Sequence, residues 1–379
     1  MDPFPSTHTA TTLPPFPRSQ PTKFPFRPDV DPCAFDPETH LDVVPPEFVV
    51  DLNFKRWKLD ELPEDPKEWP GLAYTAPFKL LSEAGVDAIR EIVRRTREVA
   101  PHIVHYSDLI PESYRGLAYV SPFIREFNRH PAVLNVLSRF AVDQMVPDSL
   151  PLNYSHTNFG AIGPAKNVVG WHFDSVQYVT VTILSDSTGM QGGALRVISK
   201  PVEEATALVL AEKAGTRPPL GEEDGVLEVE YPGKGWCILM QGGLFWHQVT
   251  PVLSAPESRI TCINSYQSRR IFSGKTAFDG KDDFTRYEYF GAIDEAEVAP
   301  LEYAIHKSWR VQTILNMLAD GTVPFSEDKT KIVSVLDRAI AELKQCKDSL
   351  ESVENHYKSP QKRAKWDETA ALRAKGVRL

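Results

Sequence analysis

Two histidines and one aspartate form the pattern in this sequence that could do chemistry. His172 and Asp174 are separated by a single residue and lie shortly before a β-rich run at 178–184. On an extended segment, side chains two positions apart project to the same face, so this imidazole and carboxylate could bind one metal ion. Taken alone, a His-x-Asp is weak evidence for a metal site, because a His–Asp hydrogen bond normally explains it better. His247, which follows the glycine pair at 242–243, offers a third ligand.

Two histidines and one carboxylate on one face leave three metal positions open, an arrangement suited to Fe(II) and O₂. Arg259 follows these ligands in chain order and heads the predicted strand 260–266, so Thr261 should face the same side. An arginine fork beside a hydroxyl is a good receptor for a carboxylate, because the pairing is bidentate and charge-assisted. By itself Arg259 would be interpreted as a surface arginine; its place after the ligand segments indicates a role.

The elements that must position these residues are short and β-rich. Glycine, proline and aspartate clusters separate them, a pattern typical of a β-sandwich or barrel. The predicted strands cover residues 152–159, 178–184, 194–199, 226–231, 236–240 and 260–266.

Four regions follow from this pattern. Residues 150–270 form the catalytic core, interrupted by an insertion at 200–224 that is part helix and part loop. Residues 1–46 hold 12 of the 32 prolines and predict an extended or disordered arm. Residues 47–149 are predicted to be mainly helical, and 271–379 form a C-terminal helical region.

Apolar spacing predicts three helices in the flanks. One begins after Ser82, a good N-cap, and a second covers 131–145 with proline in its first turn. The third is a long amphipathic helix over 332–357. Packing of this helix across the back of the sheet is favoured over a coiled coil, because the pattern covers only about three heptads. A homodimer through the C-terminal region is kept as the alternative.

Composition narrows the class of protein. A formal net charge of -9 argues against a dedicated nucleic-acid binder, which usually carries a basic face. Four widely spaced cysteines indicate reduced thiols, and the sequence shows neither a signal peptide nor an apolar stretch of membrane-spanning length. We therefore expect a cytoplasmic protein that acts without nucleic acid or membrane.

In combination, the motifs resemble those of the 2-oxoglutarate/Fe(II)-dependent dioxygenase superfamily. The order is His172-x-Asp174, then Gly-Gly-Ala-Leu at 192–195, then His247, then Arg259-x-Thr261. Asn153-Tyr154 is also similar to an Asn-Tyr pair in the isopenicillin-N-synthase-like branch, in which the tyrosine helps to hold 2-oxoglutarate. The insertion 200–224 is longer than that branch normally carries.

The resemblance implies an α+β fold with a double-stranded β-helix (jelly-roll, cupin-like) core flanked by N- and C-terminal helices. It also implies Fe(II) on His172, Asp174 and His247, with 2-oxoglutarate bound by Arg259, Thr261 and Tyr154. The expected reaction uses O₂ to oxidise an unactivated C–H bond of a small molecule by hydroxylation, desaturation or oxidative cyclisation. The substrate would be an amino acid, a small organic acid or a natural-product intermediate of secondary metabolism.

Pocket residues are the least determined part of the prediction. The candidates are Gln177, Phe173, Trp246, Trp171 and Arg196, of which Arg196 could pair with a substrate carboxylate if it faces inward. A metal-dependent cupin-type enzyme without 2-oxoglutarate, a protein or peptide hydroxylase, and a non-enzymatic jelly-roll interaction protein are the alternatives. Arg259 discriminates against the first, and intact metal ligands argue against the last.

Overall fold

The computed structural model describes residues 13–17, 28–63, 68–99, 104–105, 112–160, 162–163, 168–174, 176–269, 299–319 and 329–351. Within these ranges the α-helices are α1 (Pro37–His40), α2 (Glu83–Val99), α3 (Leu117–Val120), α4 (Pro122–Arg129), α5 (Pro131–Ala141), α6 (Val202–Lys213), α7 (Ala299–Ala319) and α8 (Lys329–Glu351).

The strands before the predicted core are β1 (Leu41–Val44), β2 (Val49–Asp51), β3 (Arg56–Trp57), β4 (Leu72–Thr75), β5 (Phe78–Leu81), β6 (Val104–His105), β7 (Glu112–Tyr114) and β8 (Met145–Pro147). Those of the core are β9 (His156–Gly160), β10 (Val169–His172), β11 (Tyr178–Ile183), β12 (Gln191–Gly192), β13 (Leu195–Ile198), β14 (Val226–Val229), β15 (Trp236–Met240), β16 (His247–Val249), β17 (Val252–Ser254) and β18 (Arg259–Ser268).

Two antiparallel sheets make the core. The larger sheet contains the order β15-β11-β18-β9, and the smaller sheet has the order β10-β16-β13-β14. Along the chain, β9, β11, β15 and β18 join the larger sheet while β10, β13, β14 and β16 join the smaller one. This alternation between facing sheets is a jelly roll, the double-stranded β-helix. The predicted fold class is confirmed.

Apolar side chains from both sheets pack together between them. Val181 and Met240 from the larger sheet belong to the same buried cluster as Leu195 and Val249 from the smaller sheet. Strand β11 is buried along its whole length, because its other face is covered by helices. Val179, Val181 and Ile183 alternate with Thr180 and Thr182, so the apolar side chains share one face of the strand and the threonines are buried on the other.

Helices α2 to α5 cover the outer face of the larger sheet. Ile89 of α2 and Leu134 of α5 share a buried cluster with Leu239 and Cys262 of the sheet. Helix α2 begins as predicted, since the Ser82 hydroxyl accepts a hydrogen bond from the backbone of Gly85 at 3.1 Å. Helix α5 ends earlier than predicted, at Ala141.

The region 47–149 also supplies strands, which the helical prediction for it did not include. Strands β2, β3, β4, β5, β6, β7 and β8 all extend the larger sheet. Several of them contain only two or three residues. Runs this short carry no readable period, and their pairing is set by the long core strands beside them.

The insertion contains α6 and packs on the outside of the smaller sheet. Ala205 and Val209 of this helix form a buried cluster with Trp171, Trp246 and Val226. The Trp246 indole donates to the Thr206 hydroxyl at 2.9 Å. The insertion therefore fixes aromatic residues that border the metal ligands.

Helices α7 and α8 pack against each other, and only part of the apolar stripe predicted from the sequence is buried. Their contact buries Ile314 of α7 with Val335 and Ala339 of α8, and buried Lys307 of α7 donates to Glu342 at 2.8 Å. The stripe residues Ile332, Leu336, Ile340 and Leu343 are exposed by 39%, 40%, 61% and 50%. Two further residues of the stripe, Cys346 and Leu350, pack with Tyr303 of α7 in the cluster beside the larger sheet. The apolar spacing therefore predicts the buried face of α8 near its C-terminal end and not near its N-terminal end. The homodimer stays a prediction.

Part of the predicted arm is described. Phe16 contacts the ring of Tyr119 at 5.5 Å and lies under the Arg125 guanidinium at 4.1 Å, as expected of a residue that holds the arm to the domain. Phe24 and Phe26, two further phenylalanines of the arm that could attach it to the domain surface, lie outside the described residues. No helix among the residues described is long and apolar enough to cross a membrane.

Candidate active site

The three predicted metal ligands meet at one end of the smaller sheet. His172 ends β10 and His247 begins β16, and the two are partners in the antiparallel register. Asp174 lies two residues beyond His172, where its backbone N–H donates to the Gly242 carbonyl at 2.9 Å. The loop between β15 and β16 thus holds the carboxylate against both imidazoles.

The ligand atoms are close enough to share one ion. Asp174 Oδ1 is 3.7 Å from His172 Nε2 and 3.5 Å from His247 Nε2. Within the described part of the chain, His172, Asp174 and His247 are the group of three His, Cys, Asp or Glu side chains whose donor atoms lie within 4.8 Å of one another. Bonds of about 2.1 Å to a common ion put neighbouring donors about 3 Å apart, so a small inward movement completes the site.

Backbone carbonyls fix the histidine tautomers. Nδ1 of His172 lies 2.7 Å from the Gly170 carbonyl, and Nδ1 of His247 lies 3.3 Å from the Phe245 carbonyl. A carbonyl can only accept, so each Nδ1 donates and each Nε2 lone pair is left for a metal. Burial, reinforced by repulsion from His247, lowers the pKa of His172 to about 4. His172 is therefore a neutral ligand at physiological pH.

Asp174 presents a buried charge that a cation would satisfy. Burial alone would raise the pKa of this carboxyl, but attraction to His247, a hydrogen bond with it and attraction to His172 outweigh burial and lower the pKa. Its Oδ2 is buried and has no hydrogen-bond partner among the described residues. Such an atom is costly unless an ion pairs with it. The donor set of two imidazoles and one carboxylate fits a divalent transition metal.

Gly242 makes room for that carboxylate. A Cβ built on Gly242 would lie 1.8 Å from Asp174 Oδ2 and 3.0 Å from His247 Cε1. No larger residue can occupy this position without displacing the ligands. The glycine pair noted in the sequence therefore gives the ligands space as well as a turn.

A cavity of about 410 Å³ opens from the ligands into the barrel. Residues Arg259, Thr261, Ile263 and Ser265 all line it, because alternate residues of β18 face the same side. Val179, Val181 and Met240 add an apolar surface beside them. A volume of this size suits a small molecule.

Arg259 and Thr261 lie in this cavity, as the sequence predicted. Arg259 is 2% exposed, and its Nη2 has no hydrogen-bond partner within the described residues. Burial lowers the pKa of Arg259, with attraction to Tyr231 opposing the shift, and a guanidinium remains charged nonetheless. The barrel thus contains a buried cation with a free donor, which calls for an anionic ligand.

Phe173 and Trp246 also line the cavity, together with Trp171. The Phe173 and Trp246 rings are tilted with centroids 4.3 Å apart, and the Lys213 ammonium lies 5.4 Å from the Trp246 ring. These three aromatic residues were predicted as pocket residues, and the structure brings them to the metal ligands.

Tyr154, by contrast, is not among the cavity residues. Its hydroxyl donates to the Asp148 carbonyl at 2.8 Å and accepts from Arg129 at 3.2 Å. The ring is fully buried in the cluster between the larger sheet and the helices. The backbone turns at Ser155, which has φ of 52°, before β9 begins. This places Tyr154 on the helical side, so the structure does not support the predicted contact with 2-oxoglutarate.

Arg196 and Gln177 also lie outside the cavity. Arg196 is directed outward on β13, where it donates to the Leu220 carbonyl at 2.6 Å and lies 3.2 Å from Glu228. Its neighbours Leu195 and Val197 face the barrel core instead. Gln177 is buried and accepts from the backbone of Ser268 at 2.8 Å, which ties it to the end of β18. Neither residue is placed to contact a substrate in the cavity.

Several cavity residues were not selected from the sequence. Arg115, Asn153, His156, Asn158 and Ser265 form what we call the polar wall. His156 and Asn158 are two residues apart on β9, so their side chains face the same side of the strand. The sequence gives no local signal for Arg115, whose place depends on the pairing of β7 with β9. The sequence also contains His102-x-x-His105 with Asp108, a possible second metal cluster for which surface or capping roles are favoured, and these side chains lie outside those that the structure describes.

The comparisons with known proteins find structural neighbours only. No protein-family model matches the sequence, and no curated protein matches it either. EctD from S. alaskensis with 2-oxoglutarate and 5-hydroxyectoine is 15% identical, over 67% of this chain and 86% of that chain, with a TM-score of 0.35.

Two further solved structures are similar to the chain at the same level. The carbocyclase SnoK from nogalamycin biosynthesis, described as non-heme and alpha ketoglutarate dependent, is 12% identical over 56% of this chain and 86% of that chain, with a TM-score of 0.37. A Pseudomonas putida prolyl-4-hydroxylase is 12% identical over 48% of this chain and 87% of that one, with a TM-score of 0.29. At such identities the function has to be inferred from the site's own geometry.

Proposed function

We propose that this protein is a non-haem Fe(II)- and 2-oxoglutarate-dependent oxygenase that oxidises an unactivated C–H bond of a small molecule. The observation that carries the proposal is one cavity with a metal triad at one place and an incompletely paired, buried arginine at another. If the barrel bound a metal ion but no anionic ligand, the buried positive charge of the Arg259 guanidinium would not be balanced by a negative charge.

His172, Asp174 and His247 would hold the iron. His172 is already neutral, both imidazoles are turned by backbone carbonyls, and Asp174 supplies one negative charge. Three protein ligands leave positions for a 2-oxo acid and for O₂. Bound Fe(II) would supply the activation of O₂, so that R–H, 2-oxoglutarate and O₂ give R–OH, succinate and CO₂ in a hydroxylation.

Arg259 and Thr261 would bind the far carboxylate of 2-oxoglutarate. They are buried, adjacent on one face of β18 and inside the same cavity as the triad. A guanidinium and a hydroxyl form charge-assisted hydrogen bonds to a carboxylate and hold it in one orientation. Val179, Val181, Ile263 and Met240 would exclude water from the space between this anchor and the metal.

A small substrate is supported by the cavity's dimensions. Its volume of about 410 Å³ lies in the range of small-molecule sites. Phe173 and Trp246 offer a flat apolar surface beside the triad. Desaturation and oxidative cyclisation use the same groups, and they remain within the proposal as alternative outcomes for the oxidised carbon.

The test is anaerobic reconstitution of the purified protein with Fe(II) and then with 2-oxoglutarate. The wild type should bind both and develop the weak visible charge-transfer band of the chelate. His172→Ala should lose the iron. Arg259→Met should keep the iron and bind 2-oxoglutarate roughly tenfold to a hundredfold more weakly, since charged hydrogen bonds contribute about 1.5–3 kcal/mol.

Arg196→Met is the matched control, because it removes an arginine that points away from the cavity. It should bind both ligands as the wild type does. Iron binding that survives His172→Ala would refute the assigned triad. Iron binding with equal 2-oxoglutarate affinity in wild type and Arg259→Met would instead favour a metal-dependent cupin-type enzyme that does not use 2-oxoglutarate.

A further inference from the structure

Outside the cavity, a cysteine and a histidine form a pair that the proposed function does not use. Cys33 Sγ lies 3.4 Å from Nε2 of His40, and neither residue lines the cavity. Cys33 is exposed to solvent, whereas only 4% of His40 is exposed. A nucleophile within hydrogen-bond reach of a base, with the base held by a third group, is the arrangement that activates thiols for covalent chemistry.

The peptide of Asp36 is the third group. Nδ1 of His40 lies 2.9 Å from the Asp36 carbonyl oxygen and 2.9 Å from the Asp36 amide nitrogen. The carbonyl can accept from Nδ1 when that nitrogen carries a proton, and the N–H can donate to it when it does not. Nε2 can therefore take a proton from the Cys33 thiol while Nδ1 keeps a hydrogen bond throughout. A general base requires this support.

Aromatic packing fixes the orientation of the His40 ring. Phe35 stacks on it with centroids 5.8 Å apart, and Phe123 of α4 meets it edge-on at 5.0 Å. Within the described structure, Cys33 is the hydrogen-bond partner of Nε2. A buried ring that is packed on two sides cannot turn without losing these contacts, so Nε2 stays directed at the exposed thiol.

The loop that carries Cys33 is attached on both sides of the cysteine. Before it, the Asp31 carboxylate accepts from the Phe123 backbone N–H at 2.9 Å. After it, the Asp36 side chain caps α1 by accepting from the Glu38 N–H at 3.2 Å. The fold therefore sets the spacing between thiol and imidazole before any reagent arrives, and such positioning favours reaction.

The other three cysteines have a different environment. Cys237, Cys262 and Cys346 are buried, and burial raises the pKa of each of these thiols. The thiolate is the reacting form of cysteine, so thiols of this kind are poor nucleophiles in the folded protein. Cys33 is thus the exposed thiol of the four, and it has a base beside it.

We propose that Cys33 is a reversible modification site that exchanges with small-molecule disulfides, and that His40 is its general base. His40 Nε2 takes the thiol proton as Cys33 Sγ attacks one sulfur of the disulfide R–S–S–R. A new S–S bond forms as the old one breaks, and the departing R–S⁻ takes up the proton from His40. One disulfide is consumed and one is formed, so the exchange needs no other oxidant, and excess thiol reverses it.

The test uses a dipyridyl disulfide as the probe, because the thione that it releases is followed by absorbance. With the folded full-length chain at neutral pH, one thiol should react in a fast phase, and peptide mapping should place the adduct at Cys33. Its rate constant should exceed that of glutathione by about tenfold, since only a few per cent of an ordinary thiol is ionised at pH 7. Cys33→Ser should remove the fast phase, and added dithiothreitol should remove the adduct.

Two substitutions of His40 separate proton transfer from packing. His40→Gln keeps a polar side chain that cannot take the proton, and His40→Phe keeps the aromatic contacts. Both should lower the rate constant of Cys33 to within about twofold of that of glutathione. His130→Asn is the matched control, because the His130 ring also contacts Phe35, at 5.5 Å, and asparagine can replace it as the N-cap of α5. This control should keep the wild-type rate constant.

The proposal is overturned if Cys33 reacts no faster than glutathione, or if the fast phase maps to another cysteine. A wild-type rate constant in either His40 variant, with folding checked by thermal unfolding, also overturns it. The exchange involves neither iron nor 2-oxoglutarate. Failure of this proposal therefore leaves the proposed function intact, and failure of the proposed function leaves this site intact.

Discussion

The cavity has two ends that are built in opposite ways. At the metal corner, formed by His172, Asp174, Gly242 and His247, each ligand is fixed through the backbone. Short side chains leave little freedom, and register across β10 and β16 sets their spacing. A metal ion tolerates errors of only about 0.2 Å in bond length, so rigid delivery is what this corner requires.

At the other end of the cavity, the long side chain of Arg259 lies against two glycines, Gly193 and Gly160. A Cβ on Gly193 would lie 2.9 Å from Arg259 Cδ, and a Cβ on Gly160 would lie 3.4 Å from Arg259 Cβ. The guanidinium is buried with one donor nitrogen unpaired in the described structure. This end therefore depends on space and unsatisfied charge, whereas the metal corner depends on backbone geometry.

The largest effect should come from Gly242→Ala at the metal corner. The new Cβ would lie 1.8 Å from Asp174 Oδ2, so the carboxylate or the loop must move. We expect the affinity for Fe(II) to fall roughly 10–100-fold, as for other substitutions that disturb the support of a metal ligand. Anaerobic metal titration measures this directly.

Gly233→Ala is the control for that substitution, because a Cβ there meets nothing within 4 Å. It should bind Fe(II) as the wild type does. Equal metal affinities in the two variants would mean that the metal corner is adaptable, and the contrast between the two ends would then disappear.

At the Arg259 end, Gly193→Ala should weaken 2-oxoglutarate binding several-fold and leave metal affinity unchanged. Its Cβ displaces the Arg259 stem, while the flexible guanidinium can partly recover its position. Gly193 also has φ of 69°, a backbone conformation that costs an alanine about 1–2 kcal/mol.

Gly189→Ala separates the two causes. Gly189 has φ of 73° but nothing within 4 Å of a Cβ, so it carries the backbone strain without the contact to Arg259. Both variants should lose thermal stability, Gly193→Ala more so because its Cβ also crowds Met190 and Val252. Only Gly193→Ala should lose affinity for 2-oxoglutarate in a calorimetric titration. The same loss in both would assign the effect to strain.

The two ends also differ in how far sequence could predict them. The pairs His172–Asp174 and Arg259–Thr261 follow from period two, a local property. Their assembly with His247 into one site follows from the motif order that resembles the dioxygenase superfamily. Arg196 could have been set aside on the same ground, since Leu195 and Val197 on either side already favour an inward apolar face.

Arg115 and Tyr154 depend on information that the local pattern lacks. Arg115 enters the cavity because β7 adds to the larger sheet in a particular register with β9. Tyr154 leaves it because the chain turns at Ser155. A register shift of one residue reverses every side chain, so only tertiary pairing decides which residue faces inward. The same holds for the N-terminal part of α8, where packing on α7 buries a face other than the most apolar one.

The smallest of these effects tests the aromatic border that the insertion adds to the metal corner. The Trp246 indole donates to Thr206 at 2.9 Å, and both side chains are fully buried. Thr206→Val keeps the shape but leaves a buried donor unpaired, so the free energy of unfolding should fall by about 1–3 kcal/mol. Metal affinity should stay within about twofold, because His247 is held through its own backbone contacts rather than through the indole.

Thr216→Val, at an exposed position of the same insertion, should leave the urea unfolding midpoint unchanged. A large loss of metal affinity in Thr206→Val would show instead that the insertion helps to hold the metal corner, which would then depend on tertiary packing as the Arg259 end does.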